Sequence, residues 1–154
     1  MRVFAVVLVL LTATAAAEPK HDDAAAALRA GMARDAARVA KLVAYPAALH
    51  DVLHAKPVLA TAATFKREIA KLMQSDVVAE LAKDGTVKFA RQDPPAGRAT
   101  KALALLGKRG HRVHWYTLVL DRASQELVVT VHAAFDAHAK LVALVWVLER
   151  TGEG

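Results

Sequence analysis

Two histidines four residues apart are the most evident candidates for metal chemistry, since residues 50–54 read HDVLH. On a helix, His50 and His54 would share one face and could bind one ion, as the histidines of the H-E-x-x-H zinc-protease helix do. The acid between them is an aspartate, one carbon too short to copy that motif's glutamate, and Pro46 and Pro57 leave room for barely two turns. On a strand, the two side chains would lie about 13 Å apart, too far for one ion. We therefore expect a partly exposed connector here, with no native metal and no cofactor.

A histidine and a tyrosine near the C-terminal end could transfer protons. His114 and Tyr116 lie two residues apart in HRVHWYTLVLD, an alternating run typical of a strand, so both would point to one face. Histidine titrates near neutrality and is the commonest general acid or base. The chain has no glycine-rich phosphate loop and no G-x-S-x-G nucleophile turn. Enzymatic activity is therefore left open, and a non-catalytic role is favoured.

The first 17 residues, MRVFAVVLVLLTATAAA, have the three parts of a secretory signal peptide. Arg2 supplies the positive start, an apolar run follows, and small residues precede a cleavage site before Glu18. The run is shorter than the roughly 20 residues of a membrane-spanning helix. We predict a signal peptide at 1–17, a single domain at 18–154, and export to a periplasm, with full secretion as the alternative. Because the chain has no cysteine, disulfides, thiolate metal sites and thiol catalysis are excluded.

The formal net charge of +6 comes mainly from a local excess of basic residues. No acidic residue occurs between Asp93 and Asp121. A basic cluster of this kind could contact an anionic surface or ligand, or it could be a solvated loop. Stacking aromatics are not interleaved with the cations, so we expect no nucleic-acid binding. The cluster consists of Arg98, Lys101, Lys108, Arg109 and Arg112.

Helical periodicity dominates the first half of the chain and alternation dominates the last third. Helices are predicted at 22–44, from Thr61 or Thr64 to Met73, and at 75–85, with a turn at 93–97. A short strand is predicted at 86–91, residues 98–108 are ambiguous between helix and strand, and three strands joined by RASQ and DAHA end the chain. The predicted class is α+β, with N-terminal helices packed on a bent antiparallel sheet that ends in a three-strand meander.

Three stretches resemble a known family: ARVAKLVAYPAALH (37–50), TFKREIAKLMQSDVVAELA (64–82) and HAAFDAHAKLVALVWVLER (132–150). They are similar to small exported members of the nuclear transport factor 2-like superfamily, also called cystatin-like or SnoaL-like. Ala139 stands where the last pattern usually has glycine, so the hairpin turn is expected to differ. The resemblance implies a cone-shaped fold with a pocket at its mouth. Members include a steroid isomerase, polyketide cyclases, dehydratases and transport adaptors, so the fold does not choose among functions.

The resemblance and the strand faces together predict an apolar pocket for a small apolar ligand. If both hairpin loops have four residues, Tyr116 lies opposite Val131 and one face collects the large apolar side chains. In the steroid isomerase and cyclase relatives a pocket carboxylate acts as acid or base, whereas the acids of this sheet fall at strand ends or turns. The alternative is that the aromatic side chains simply fill the core. The candidate pocket residues are Tyr45, Phe65, His114, Tyr116 and Trp146.

The opposite face of the predicted sheet is also apolar, which favours a partner, most simply a second copy in a homodimer. Sheet-face dimers are common in the resembled superfamily. The alternative is that residues 98–108 cover this face. The candidate partner residues are Trp115, Thr117, Thr130 and His132. The sequence thus predicts an exported, non-catalytic small-ligand-binding or protein-interaction module. The alternatives are a cyclase- or isomerase-like enzyme using His114 and Tyr116, and a structural accessory protein that docks through this outer face.

Overall fold

The structure is a computed structural model that describes residues 19–50, 55–73, 86–90, 97–121 and 127–150. The predicted signal peptide, the predicted helix at 75–85, most of the turn at 93–97 and His54 lie outside these residues. In chain order the helices are α1 (Pro19–Arg34), α2 (Ala36–Lys41), α3 (Ala62–Met73) and α4 (Arg98–Leu106), followed by a 3₁₀ turn (Gly107–Gly110). The strands are β1 (Val43–His50), β2 (Val58–Ala60), β3 (Thr86–Ala90), β4 (His114–Asp121), β5 (Leu127–Phe135) and β6 (Leu141–Arg150).

The predicted helix at 22–44 is wrong in its continuity and in its end. It is divided at Asp35, whose side-chain Oδ1 accepts a hydrogen bond from the backbone N–H of Ala37 at 2.9 Å and so begins a new helix. The second helix ends at Lys41. The chain then extends as β1 through Pro46, where the pairing of β1 with β6 is irregular. The stretch that the sequence suggested as a connector is thus partly a strand.

The strands form one six-stranded sheet in the order β2-β1-β6-β5-β4-β3. The last three strands form the predicted antiparallel meander, and β3 and β2 extend the sheet on its two sides. One pair, β1 with β6, is parallel, and it joins the first and last strands that the structure describes. The α+β class with N-terminal helices packed on the sheet is confirmed. Among the described residues, no helix is long and apolar enough to cross a membrane.

The hairpin registers differ from those expected, but the strand faces do not. Tyr116 lies opposite Ala133 instead of Val131, and Trp146 lies opposite Val131. Each is an offset of two residues, and an offset of two keeps every side chain on its face. The exception is an irregularity after Ala134. It pairs Phe135 with Leu141, so Leu141 lies in the inner core and Val142 lies on the opposite side of the sheet.

Two hydrophobic clusters lie on opposite sides of the sheet. The inner cluster joins α1, α2 and α3 to the sheet through Leu28, Met32, Val39, Phe65, Ile69, Leu118, Leu144 and Trp146. Full burial of each large side chain contributes about 1.5–3 kcal/mol, so this cluster is the main source of stability. The outer cluster packs α4 on the sheet through Ala99, Ala102, Leu106, Trp115, Val142, Ala143 and Val145. Residues 98–106 are therefore a helix, and its small alanines allow close approach to the sheet.

Candidate functional site

The first turn of α1 meets the start of β4 and the β5–β6 hairpin through a pair of histidines. The ring centroids of His21 and His114 are 4.0 Å apart, with the planes tilted by 40°. The Nε2 atom of His21 lies 2.8 Å from the backbone carbonyl oxygen of Asp136, within hydrogen-bond distance. His21 is buried and His114 is half-buried. The contact joins parts of the chain that are far apart in sequence.

A second contact between the same elements engages the candidate tyrosine. The hydroxyl of Tyr116 donates a hydrogen bond to Oδ1 of Asp22 at 2.7 Å, and its ring packs edge-on against Phe135 at 5.6 Å between centroids. Burial raises the pKa of Tyr116 far above its ordinary value of 10.0, and the hydrogen bond and negative charge of Asp22 raise it further. The hydroxyl therefore keeps its proton and directs it at a partner within the chain.

The five candidate pocket residues lie in three separate environments. Tyr45 packs edge-on against Phe65 at 5.8 Å, and its hydroxyl donates to the backbone carbonyl oxygen of Ala40 at 3.0 Å. Trp146 is buried in the inner cluster, and its indole N–H has no hydrogen-bond partner among the described residues. His114 and Tyr116 face α1 instead. These contacts fit the alternative in which the aromatic side chains fill the core better than they fit a single ligand pocket.

His21 and Asp22 are the residues of this region that the sequence did not single out. The two residues are neighbours at the start of α1, and each contacts a side chain of β4. An acidic residue in the first turn of a helix is favoured by the helix dipole whatever it contacts. The local sequence therefore carries no information on which distant strand either residue will contact.

The outer face of the sheet is covered in part. Trp115 is buried beneath α4, so its prediction as an exposed partner residue is wrong for the single chain. Thr117, Thr130 and His132 remain half-exposed. Thr117 and His132 lie opposite each other, with Oγ1 and Nδ1 at 3.1 Å. The uncovered remainder is smaller and more polar than the face predicted from the sequence.

The HDVLH stretch is described only at its first residue. His50 is the last residue of β1, is buried, and pairs with Val145 of β6. Because His54 is outside the described residues, the distance between the two histidines is not defined. Within the described ranges, no group of three or more histidine, aspartate or glutamate side chains could hold a metal ion.

The basic cluster predicted from the sequence divides into two parts. A cleft of about 400 Å³ lies between the segment after α4 and the β5–β6 hairpin. Arg98 and Lys101 lie on α4 and are not part of its lining. The lining has Ala137 and the buried Val142 as apolar residues, and its charged or titratable side chains are Lys108, Arg109, His111, Arg112, Asp136 and His138.

Two anchored residues give the cleft its geometry. The guanidinium of Arg109 donates to the carbonyl oxygens of Pro46 at 2.6 Å and Ala44 at 3.0 Å, which holds the 3₁₀ turn against β1. Oδ1 of Asp136 accepts hydrogen bonds from the backbone N–H groups of His138 at 2.9 Å and Lys140 at 3.0 Å. The cleft therefore has a fixed cation on one wall and an already engaged carboxylate on the other.

No protein-family model and no curated protein sequence matches the chain. Among solved structures, a steroid delta-isomerase from Pseudomonas aeruginosa is similar to this chain, with a TM-score of 0.47 and 15% sequence identity. The match covers 86% of this chain and 81% of that chain. No residue role or activity is transferred from it.

Proposed function

We propose that the chain is an exported, non-catalytic module of the nuclear transport factor 2-like kind that binds a small ligand. One observation carries the ligand-binding part. An open cleft of about 400 Å³ is available to solvent, whereas the two best candidates for catalysis are engaged within the chain. Export is proposed from the signal-peptide pattern of residues 1–17. Membership of the family is proposed from the three sequence stretches and from the order of helices and meander.

The state of Tyr116 supports a non-catalytic role. A general acid or base works best when its pKa is near the working pH. The pKa of Tyr116 is instead raised well above its ordinary value, and its proton is held by Asp22. His114 packs against His21, which in turn reaches the carbonyl of Asp136. Both candidate groups therefore act as contacts between α1 and the sheet.

The test is a ligand screen on the protein expressed with its own N-terminal segment. A ligand that binds only the folded state at 100 times its Kd stabilises it by about 2.7 kcal/mol. For a domain of this size that raises Tm by on the order of 10 °C. We expect at least one ligand class to produce such a shift, and native mass spectrometry of the purified protein to detect a bound small molecule. If neither measurement detects a bound ligand in charged or uncharged libraries, the proposal is wrong.

The second candidate function is a proton-transfer enzyme of the cyclase or isomerase type. It is favoured by the concentration of proton-exchanging groups at the start of β4, where the pairs His21–His114 and Tyr116–Asp22 meet. Turnover on an enone or a cyclisable ketone should then be lost in both His114→Ala and Tyr116→Phe. Activity retained in either variant would remove the catalytic role of that residue. If the unmodified protein shows no turnover, this second candidate is removed and the ligand-binding proposal stands.

A further inference from the structure

We propose that the cleft between the 3₁₀ turn and the β5–β6 hairpin is a binding site for a small molecule that carries phosphate or carboxylate groups. The inference rests on the proposed ligand-binding function and names the chemistry of the ligand. Its basis is the charge, the fixed geometry and the size of the cleft, none of which involves the aromatic residues of the inner core.

The charge of the cleft lining is the first argument. Lys108, Arg109 and Arg112 contribute three positive charges and Asp136 contributes one negative charge, which gives 3 − 1 = +2 with the histidines neutral. The Asp136 carboxylate is already stabilised by two backbone N–H donors in its own turn. Within the part of the chain that the structure describes, none of the three cations forms an ion pair with a carboxylate. A ligand oxyanion would supply the missing counter-charge.

The fixed position of Arg109 is the second argument. A guanidinium has five N–H donors, and the two hydrogen bonds to Pro46 and Ala44 occupy only two of them. The side chain is therefore held in place before any ligand binds, while three donors remain. A cation that is already immobilised loses less conformational entropy on binding than a free one. Guanidinium groups also match the planar geometry of carboxylate and phosphate oxygens.

A purely structural explanation accounts for only part of the lining. Basic side chains at the C-terminal end of a helix compensate the partial negative charge of the last carbonyls. That reason covers Lys108 and Arg109, which lie in the last turn of the 3₁₀ segment. It does not cover Arg112, which follows the turn, or His138, which lies on the separate hairpin. Two segments far apart in sequence thus form the lining, and residues 108–112 alone supply its formal positive charges.

The size and wall of the cleft limit the class of ligand. A volume of about 400 Å³ is in the range of small-molecule sites. The apolar wall at Val142 admits a short carbon skeleton beside the anionic groups. A small polycarboxylate or an organic phosphate has this combination of charge and size.

Binding can be tested by calorimetry at low salt with pyrophosphate and citrate as probes, and with the uncharged trimethyl ester of citrate as the ligand control. We expect saturable 1:1 binding of at least one anion, no binding of the ester, and weaker binding as salt is added. The double variant Lys108→Gln/Arg112→Gln should raise Kd at least tenfold. Both side chains are exposed, so the fold should be retained, which an unchanged Tm would verify.

The matched control is Arg38→Gln/Lys41→Gln, which removes the same charge from exposed positions at the end of α2. We expect its Kd to stay within twofold of the unmodified protein. An equal loss of affinity in both double variants would show attraction to net charge alone and would overturn the site. Binding to phosphatidylglycerol vesicles without binding of either soluble anion would also overturn it. Uncharged ligands that raise Tm while neither anion binds would remove this inference and leave the proposed function intact.

Discussion

The hydroxyl of Tyr116 on β4 donates to the carboxylate of Asp22 on α1 across 2.7 Å, which links the sheet directly to the first helix. Tyr116→Phe should lower the unfolding free energy by about 1–2 kcal/mol, because a hydrogen bond to a charged acceptor is lost. Urea denaturation measures the effect. Tyr45→Phe, which removes a bond to the neutral carbonyl of Ala40, is the matched control and should cost less. Equal midpoints for Tyr116→Phe and the unmodified protein would contradict the expectation.

The same tyrosine predicts a loss of stability at alkaline pH. Burial raises the pKa values of Tyr116 and Tyr45 above 10.0 in the folded state. Above that pH the unfolded chain therefore binds fewer protons than the folded one, and the unfolding free energy falls as pH rises. Below that pH, the contribution of the two tyrosines to the unfolding free energy does not change with pH. Because lysines also titrate in this range, the informative quantity is the difference between variants: the fall should be smaller in Tyr116→Phe, and parallel curves would refute the assignment.

The turn between β5 and β6 contains an alanine in a left-handed conformation, since φ at Ala139 is 58°. This conformation costs an alanine about 1–2 kcal/mol, and the greater freedom of glycine in the unfolded chain offsets about 0.4–1 kcal/mol of the gain. Ala139→Gly should therefore raise the unfolding free energy by roughly 0.5 kcal/mol. Ala137→Gly in the same turn should lower it. Chemical denaturation of both variants measures the pair, and a loss in Ala139→Gly would be the opposite result.

The contact of α4 with the outer face predicts different effects for two alanines on one helix. Ala102 is fully buried against the sheet and Ala104 is exposed. Ala102→Glu should destabilise by at least about 3 kcal/mol, because it buries an unpaired charge. It should also shift tryptophan emission to the red by exposing Trp115. Ala104→Glu should change stability by less than about 0.5 kcal/mol and leave the emission unchanged. Similar effects of the two substitutions would mean that α4 does not cover this face.

Homodimerisation through the outer face stays a prediction, now restricted to the part that α4 leaves open. Thr117→Arg introduces a charge into that part, beside His132. We expect the variant to elute as a monomer in size exclusion while its circular dichroism is unchanged. Thr100→Arg, on the exposed side of α4, is the control and should elute with the unmodified protein. An unchanged elution volume for Thr117→Arg would count against this interface.

The strand faces could be predicted because alternation is a local property. Both assumed hairpin registers were two residues from the observed ones, yet Tyr116 and Trp146 still point into the inner core. Alternation alone does not reveal the irregularity near Phe135, which changes the parity of the pairing and places Val142 on the outer face. The break at Asp35 was missed because the helical spacing of Leu28, Met32 and Val39 continues across it, although aspartate is favoured at a helix start over a helix interior.

The candidate sites were less predictable, since they depend on contacts between distant segments. Residues 98–108 had no decisive periodicity, and only their packing on Trp115 identifies a helix over most of them. The basic cluster was visible in the sequence, but His138 joins it only through the fold. The engagement of His114 and Tyr116 by His21 and Asp22 could not be read from local pattern at all.

The contact between His21 and the carbonyl of Asp136 spans 115 positions of the chain. Helix α1 therefore cannot complete its packing until the β5–β6 hairpin has been synthesised. Folds that depend on such distant partners have a high contact order and fold slowly. If the chain is exported as proposed, its folded state cannot be completed before synthesis is nearly finished, which is compatible with passage across a membrane in an unfolded form.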